Sequence, residues 1–356
     1  MRTKGFIFIL LGIFFSVQAA ANGAPKAVKG KMDARGYSFE QKGCLRLGGE
    51  WGFHWKKLYA PQALRTIPEE DTEYTSFPDY WNNHPQNRAQ TGLGYATYSL
   101  DISFSPEQPD TLYLYLKEFL TSYRLYINGK LTTEVGKVGT TEHSAKPGYY
   151  PVVVPVTSYR EHIEIVIQVA NFTHSKGGPY NHILLGLPAD ITRLQQRHLA
   201  LDFLLTGSMF VIALYFLLLF LLRRKDTAAL FFALFAFLIA LRITVSGEQT
   251  LHLVMPKLSW VLAYKIDYIT FYAVVPAVVS FFYAIFPKDV LWRVTLVFWA
   301  LSAVAVLLVL FTPPVFFTSW LWAYQALTML AMGYTLFALG RALYFRRQGK
   351  IGRAHV

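Results

Sequence analysis

From Leu199 onward the chain is dominated by apolar side chains, and that stretch limits what the molecule can be. Five apolar runs follow one another, at residues 199–222, 227–246, 261–286, 294–312 and 318–340. A helix needs about 20 residues to cross a hydrocarbon layer roughly 30 Å thick, and each run is close to that length or longer. Water is absent inside a bilayer, so the backbone of such a run must satisfy its own hydrogen bonds, which a helix does. Short charged or Pro-bearing loops separate the runs. Residues 191–345 therefore read as a polytopic membrane region.

The formal charge of +12, from 34 Lys and Arg against 22 Asp and Glu, is explained by where the charges fall. Arg223, Arg224 and Lys225 follow the first run, Lys288 and Arg293 follow the third, and Arg341, Arg346, Arg347, Lys350 and Arg353 follow the fifth. The alternate loops, 247–260 and 313–317, offer only Lys257. Short basic loops stay in the cytoplasm, which places the residue 223 side and a basic tail, 346–356, there. Everything before the first span is then extracytoplasmic. Nucleic-acid binding is not needed to explain the basicity.

The N-terminus points the same way. Arg2 and Lys4 form a basic start, residues 6–17 an apolar core and Ala19-Ala-Ala21 a small-residue cleavage signal, so residues 1–21 read as a signal peptide. Retention as an uncleaved anchor stays open. A single cysteine, Cys44, rules out an internal disulfide, and a domain of this size can bury enough core without one.

Between the signal and the first span, residues 22–190 carry a period-two pattern. Trp51, Phe53 and Trp55 alternate with Gly52 and His54, and Tyr98, Leu100, Ile102 and Phe104 alternate with smaller or polar residues. Residues 112–116, 123–127, 131–135, 152–156 and 163–169 add further strands, and Asn128-Gly129 is a type I′ hairpin signal. About eight strands with no helical interlude predict an antiparallel β-sandwich of the jelly-roll kind, followed by an α-helical membrane bundle of five spans. The connection from Ala60 to Gly94 reads as a long polar loop.

Several motifs in this order resemble a known family. Gly49-Glu-Trp-Gly-Phe-His-Trp55, Pro78-Asp-Tyr-Trp81 and Gly92-Leu-Gly-Tyr-Ala-Thr-Tyr98 are similar to the galactose-binding-like sensor domain of bacterial seven-transmembrane receptors with diverse intracellular signalling modules. Tyr123–Lys130, Val135–Gly139 and Gln168–Gly178 continue the likeness. Gly207, Tyr215, Arg224-Lys-Asp226 and Gly247 extend it into the membrane region. The resemblance implies a sandwich shared with the sugar-binding module of family-two glycoside hydrolases, a bacterial inner-membrane location and signalling as a homodimer. It also implies seven spans and an attached output module such as a kinase, cyclase or phosphatase. Only five spans are present, and residues 349–354 look like the lead-in to a sixth, so the chain reads as a receptor cut short before its output.

Catalytic signals are lacking: the sequence contains no nucleophile elbow, phosphate loop, HExxH or CxxC. His143, His162, His174 and His182 have no ligand-like spacing of three or four, so neither a metal nor another cofactor is expected. The expected partner is a small ligand, with carbohydrate the leading class, alongside the lipid bilayer. The run Asn171–Asn181 carries His174, Lys176, Tyr180 and Asn181 as candidate ligand contacts. A capped loop packing on the membrane-proximal edge is the competing reading. Trp81 is the candidate exposed ring for stacking on a sugar, or else a loop anchor.

Inside the membrane, ionisable residues are rare and informative. Arg242 near the end of the second span and Asp267 near the start of the third reach similar depth if the helices are antiparallel neighbours, which would make an ion pair. Snorkelling of Arg242 to an interface shared by Asp267 is the alternative. The functional expectation is a sensory receptor that is not an enzyme. A membrane-anchored binding or adaptor protein without signalling output is the rival.

Overall fold

The computed structural model describes residues 24–347 except Arg88, Gln108, Glu118, Leu120, Tyr149 and residues 158–160. The expected signal peptide and the lead-in at 349–354 lie outside the described residues, as do residues 348–356 of the basic tail.

Strands β1 (Lys31–Asp33), β2 (Leu45–Arg46), β3 (Gly49–Trp55), β4 (Glu73–Phe77), β5 (Gly94–Ser103), β6 (Thr111–Leu116), β7 (Ser122–Ile127), β8 (Lys130–Val135), β9 (Val152–Thr157), β10 (His162–Asn171) and β11 (Leu184–Gly186) build two sheets. The larger runs β4-β3-β5-β10-β7-β8, and the smaller runs β2-β11-β6-β9. One shared core lies between them, where Trp51, Tyr98, Leu100 and Ile165 meet Leu45, Leu112, Leu116 and Val156. The expected sandwich is present, with two departures. β1 pairs in parallel with β5, so the large sheet is not wholly antiparallel. The stretch read as one long loop contains β4, which pairs with β3 and puts Phe77 stacked on Trp51 at 3.9 Å. Its residues before Phe77 are half-buried or exposed, so it lacks the alternation that marks a strand.

Local chemistry accounts for the tight turns. Asn128 and Gly129 adopt φ of 50° and 81°, as a type I′ hairpin requires, and close β7 onto β8 with Ile127 facing Lys130. Gly49 sits at φ 121°, a region in which an L side chain is strained. A Cβ there would lie 2.4 Å from the carbonyl oxygen of Ala27, whose backbone bridges to Gly49.

Among the described residues, five helices are long and apolar enough to cross a membrane. They are α1 (Pro188–Leu222), α2 (Thr227–Val245), α3 (Trp260–Ile285), α4 (Trp292–Phe311) and α5 (Leu321–Tyr344). α1 starts well before the apolar run, because Leu187 caps it directly from β11 and Pro188 occupies its first turn. Its extra residues are largely polar, Arg193, Gln195, Gln196 and Arg197 among them. Successive helices pack side by side from α1 to α4, and α5 lies on α3. Tyr272, Val279, Phe298 and Tyr324 form a core shared by α3, α4 and α5, while α1 exposes Phe203, Phe210, Val211 and Leu222 as a lipid-facing helix does. α3 continues through Pro276. Away from the sandwich, Asp289 in the α3–α4 loop has a buried side chain paired with Arg341 at 3.5 Å and Arg347 at 3.1 Å.

Gly49→Ala is expected to destabilise the sandwich by about 1–3 kcal/mol from backbone strain alone. Gly207→Ala, where a Cβ meets nothing within 4 Å, should not lower stability. Thermal unfolding of the full chain in detergent compares the two; equal midpoints would contradict the assignment of strain to Gly49.

Candidate functional site

The site begins with a buried carboxamide at the end of β10. Asn171 is fully buried and makes five hydrogen bonds. Its two Nδ2 hydrogens serve the carbonyls of Gly92, His174 and Lys176 at 2.7, 2.8 and 2.9 Å, one of them shared, and its Oδ1 accepts from the amides of Thr173 and His174. The chain after β10 is thereby wound into a compact loop. Asn82 extends the binding, accepting from the Gly177 amide and donating to the Ser175 carbonyl, both at 3.0 Å. Buried polar groups satisfied this completely hold a single geometry.

The same loop rests on the membrane helices. The Ser175 amide donates to Thr318 Oγ1 at 3.1 Å, and the His174 ring meets Tyr264 edge-on at 5.7 Å. Between loop and helices lies a cavity of about 750 Å³. The sandwich contributes Tyr80, Asn82, His174, Ser175, Lys176 and Tyr180; α2 contributes Arg242, α3 Tyr264, Asp267, Tyr268 and Phe271, and the start of α5 Trp322 and Gln325. Tyr80 and Tyr180 stack at 5.9 Å, and the Lys176 ammonium lies 4.8 Å above the Tyr80 ring.

Arg242 and Asp267 meet at the cavity wall. Arg242 Nη1 donates to the Asp267 carbonyl at 2.9 Å and lies 3.3 Å from its Oδ1, while the guanidinium stacks over Phe271 at 4.9 Å. Of the loop candidates, His174, Lys176 and Tyr180 line the cavity and Asn181 does not. The assignment of Trp81 to ligand contact is corrected. Its indole is 1% exposed, donates to the Gly92 carbonyl at 3.0 Å and packs against Trp55. It anchors the loop and presents no face to a ligand. Asn82, Tyr264, Tyr268 and Trp322 were not singled out from the sequence. Tyr264 and Tyr268, one turn apart in an apolar run, are the signal that could have pointed to them.

A second polar joint ties the sandwich to the bundle. Glu248, in the α2–α3 connection, accepts from Tyr115 Oη of β6 at 2.6 Å and lies 3.2 Å from His198 Nδ1 of α1. Its amide donates to Asp202 Oδ2 at 3.0 Å, and the Glu248 side chain is 3% exposed.

Residues 198–352 match the family model described as 7TM diverse intracellular signalling. The match spans the region of the five apolar helices and supports a receptor-type membrane region of that kind. No curated protein matches the chain. Among solved structures, a β-glucuronidase of an uncultured Clostridium species is similar at 17% identity, over 40% of this chain and 28% of its own, with a TM-score of 0.32. The β-glucuronidase of Faecalibacterium prausnitzii is 12% identical over 40% of this chain and 31% of its own, with a TM-score of 0.32. A β-galacturonidase of Eisenbergiella tayi is 16% identical over 40% and 24%, with a TM-score of 0.28. The chain thus spans less than a third of the length of each of these enzymes.

His174 supplies a pH test of the 171–178 loop. Burial pushes its imidazole down to about 4, outweighing the Lys176 carbonyl, which favours the charged form. With an unfolded value near 6.5, the fold favours the neutral ring. The stabilisation is complete above pH ~6.5 and declines as pH falls toward ~4, by up to about 3 kcal/mol. His174→Gln should lose less stability than the parent between pH 7 and pH 4.5, measured as paired unfolding midpoints. Identical losses would contradict the burial argument.

Proposed function

We propose that the chain is the sensing and membrane part of a receptor in which a small ligand enters the cavity between sandwich and helices. The sandwich would face the periplasm and the basic loops the cytoplasm of a bacterial inner membrane. One observation carries this reading: the cavity wall is shared, so an occupant touches the 171–178 loop and three membrane helices at once. A ligand that binds one relative placement of the two bodies better than another shifts their equilibrium by that difference in affinity. Aromatic faces interleaved with Asn, Ser and Gln suit a ring-bearing polar molecule, and carbohydrate is one such class.

Glu248 is the proposed relay. Its carboxylate is held by one group from β6 and one from α1, so a displacement of the sandwich reaches the helices through it. Removing the charge by Glu248→Gln is expected to weaken docking by about 1.5–3 kcal/mol, the usual worth of a charge-assisted hydrogen bond.

Hydrogen–deuterium exchange on the full chain in nanodiscs tests the scheme. With a panel of monosaccharides, disaccharides and small organic acids, a stabilising compound should slow exchange in residues 171–181 and in the first turns of α5 together. Glu248→Gln should uncouple the connection at 246–259 from that protection. Protection confined to the sandwich would sink the relay and favour a membrane-anchored adaptor.

A further inference from the structure

The charge and hydrogen-bond capacity of the cavity narrow what it can hold. Two cationic side chains, Lys176 and Arg242, face it against one anionic side chain, Asp267. His174, neutral for the reason given above, adds nothing to that balance. The excess is a single positive charge.

Arg242 is also only partly engaged. Among the described residues its Nη1 has the one hydrogen-bond partner, the Asp267 carbonyl, and Nε and Nη2 have none. The stacking on Phe271 and the Nη1 bond hold the guanidinium plane in place, leaving its remaining donors for a ligand. A guanidinium presents donors at the spacing of two carboxylate oxygens, which an ammonium does not. Lys176, exposed at the rim, has no carboxylate within ion-pair distance among the described residues and supplies attraction without direction. The rings of Tyr264 and Tyr268, with centroids 5.1 Å apart, and the Trp322 indole line the same cavity.

We propose that the cavity takes a small organic monoanion, its carboxylate on Arg242 and its ring against Tyr264, Tyr268 and Trp322. This rests on the reading of the cavity as the receptor's ligand site and names the class of ligand. Asp267 sets the limit on charge. It offsets one of the two cations and disfavours a dianion, while a single carboxylate neutralises the excess. Because the cavity lies where the sandwich meets the membrane helices, the net-anionic headgroup of an acidic lipid offers related chemistry, and the experiment must separate the two sources.

The test uses the full chain in phosphatidylcholine nanodiscs and two matched pairs of probes, benzoate with benzamide and D-glucuronate with D-glucose. Within each pair shape is nearly kept and charge is removed. Binding is read by thermal shift and calorimetry. The carboxylate of at least one pair should bind and its neutral partner should bind at least tenfold more weakly. Arg242→Gln should lower the carboxylate's affinity by about 10- to 100-fold, the range for one or more charge-assisted hydrogen bonds. Lys176→Gln, a rim substitution that leaves the wall intact, should lower it by less than tenfold.

Equal binding within a pair, abolished by Tyr268→Ala, would overturn the anion assignment while leaving ligand capture by the cavity standing. No binding by any of the four probes would overturn the assignment as well. Exchange protection by another compound would then keep the receptor reading, and its absence would remove both. Inorganic phosphate binding as tightly as benzoate would overturn the role of the rings. Displacement of the bound carboxylate on replacing phosphatidylcholine with phosphatidylglycerol would assign the site to a lipid headgroup instead.

Discussion

A single buried carboxamide organises the region where the two halves of this protein meet. Asn171 uses both ends of its side chain on the backbone of its own loop and on Gly92, so two distant chain segments share one anchoring point. Removing it would leave several buried carbonyls and amides without partners, each costing about 1–3 kcal/mol. That winding aims His174 and Ser175 at the helices and leaves Lys176 at the cavity rim. The loop is at once a well-capped packing element and the ceiling of a cavity, so the two readings open at the sequence level describe the same segment.

Charged groups at the junction are few, and each is held by partners from a different element. Arg242 of α2 leans on Asp267 of α3, and Glu248 joins β6, α1 and the α2–α3 connection. Partly desolvated ion pairs are poor sources of net stability but costly to break from one side. Such groups suit the border between two bodies that must keep register. The aromatic stack along α3, from Trp260 through Tyr264 and Tyr268 to Tyr272, gives that border a stiff apolar spine.

Much of the fold was legible because burial on one face imposes a period. β3, β5, β6, β7 and β10 announce themselves by alternation, β8 by the Asn128-Gly129 turn before it, β9 by its run of valines, and the five spans by length and apolarity. β1, β2 and β11 are too short for a pattern, and β4 is largely exposed. Arg242 and Asp267 stood out as rare charges in apolar runs. Their meeting with His174 and Lys176 could not be read, because it depends on how a sandwich loop settles on helices far away in the chain. Trp81 misled for a physical reason: its neighbours are polar, but its indole N–H finds the Gly92 carbonyl inside and the ring follows it.

The last helix ties the two ends of the bundle together mechanically. The first turn of α5 puts Trp322 in the cavity wall, and its last turn carries Arg341, which reaches the buried Asp289 beyond the far end of α3. Its 24 residues make a rod about 36 Å long at a rise of about 1.5 Å per residue. For a rod of that length, pivoting by about 5° at one end sweeps the other through about 3 Å. That sweep is comparable to the 3.5 Å separation between Arg341 and Asp289. A lever of these proportions would turn a small tilt at one end into a made or broken ion pair at the other.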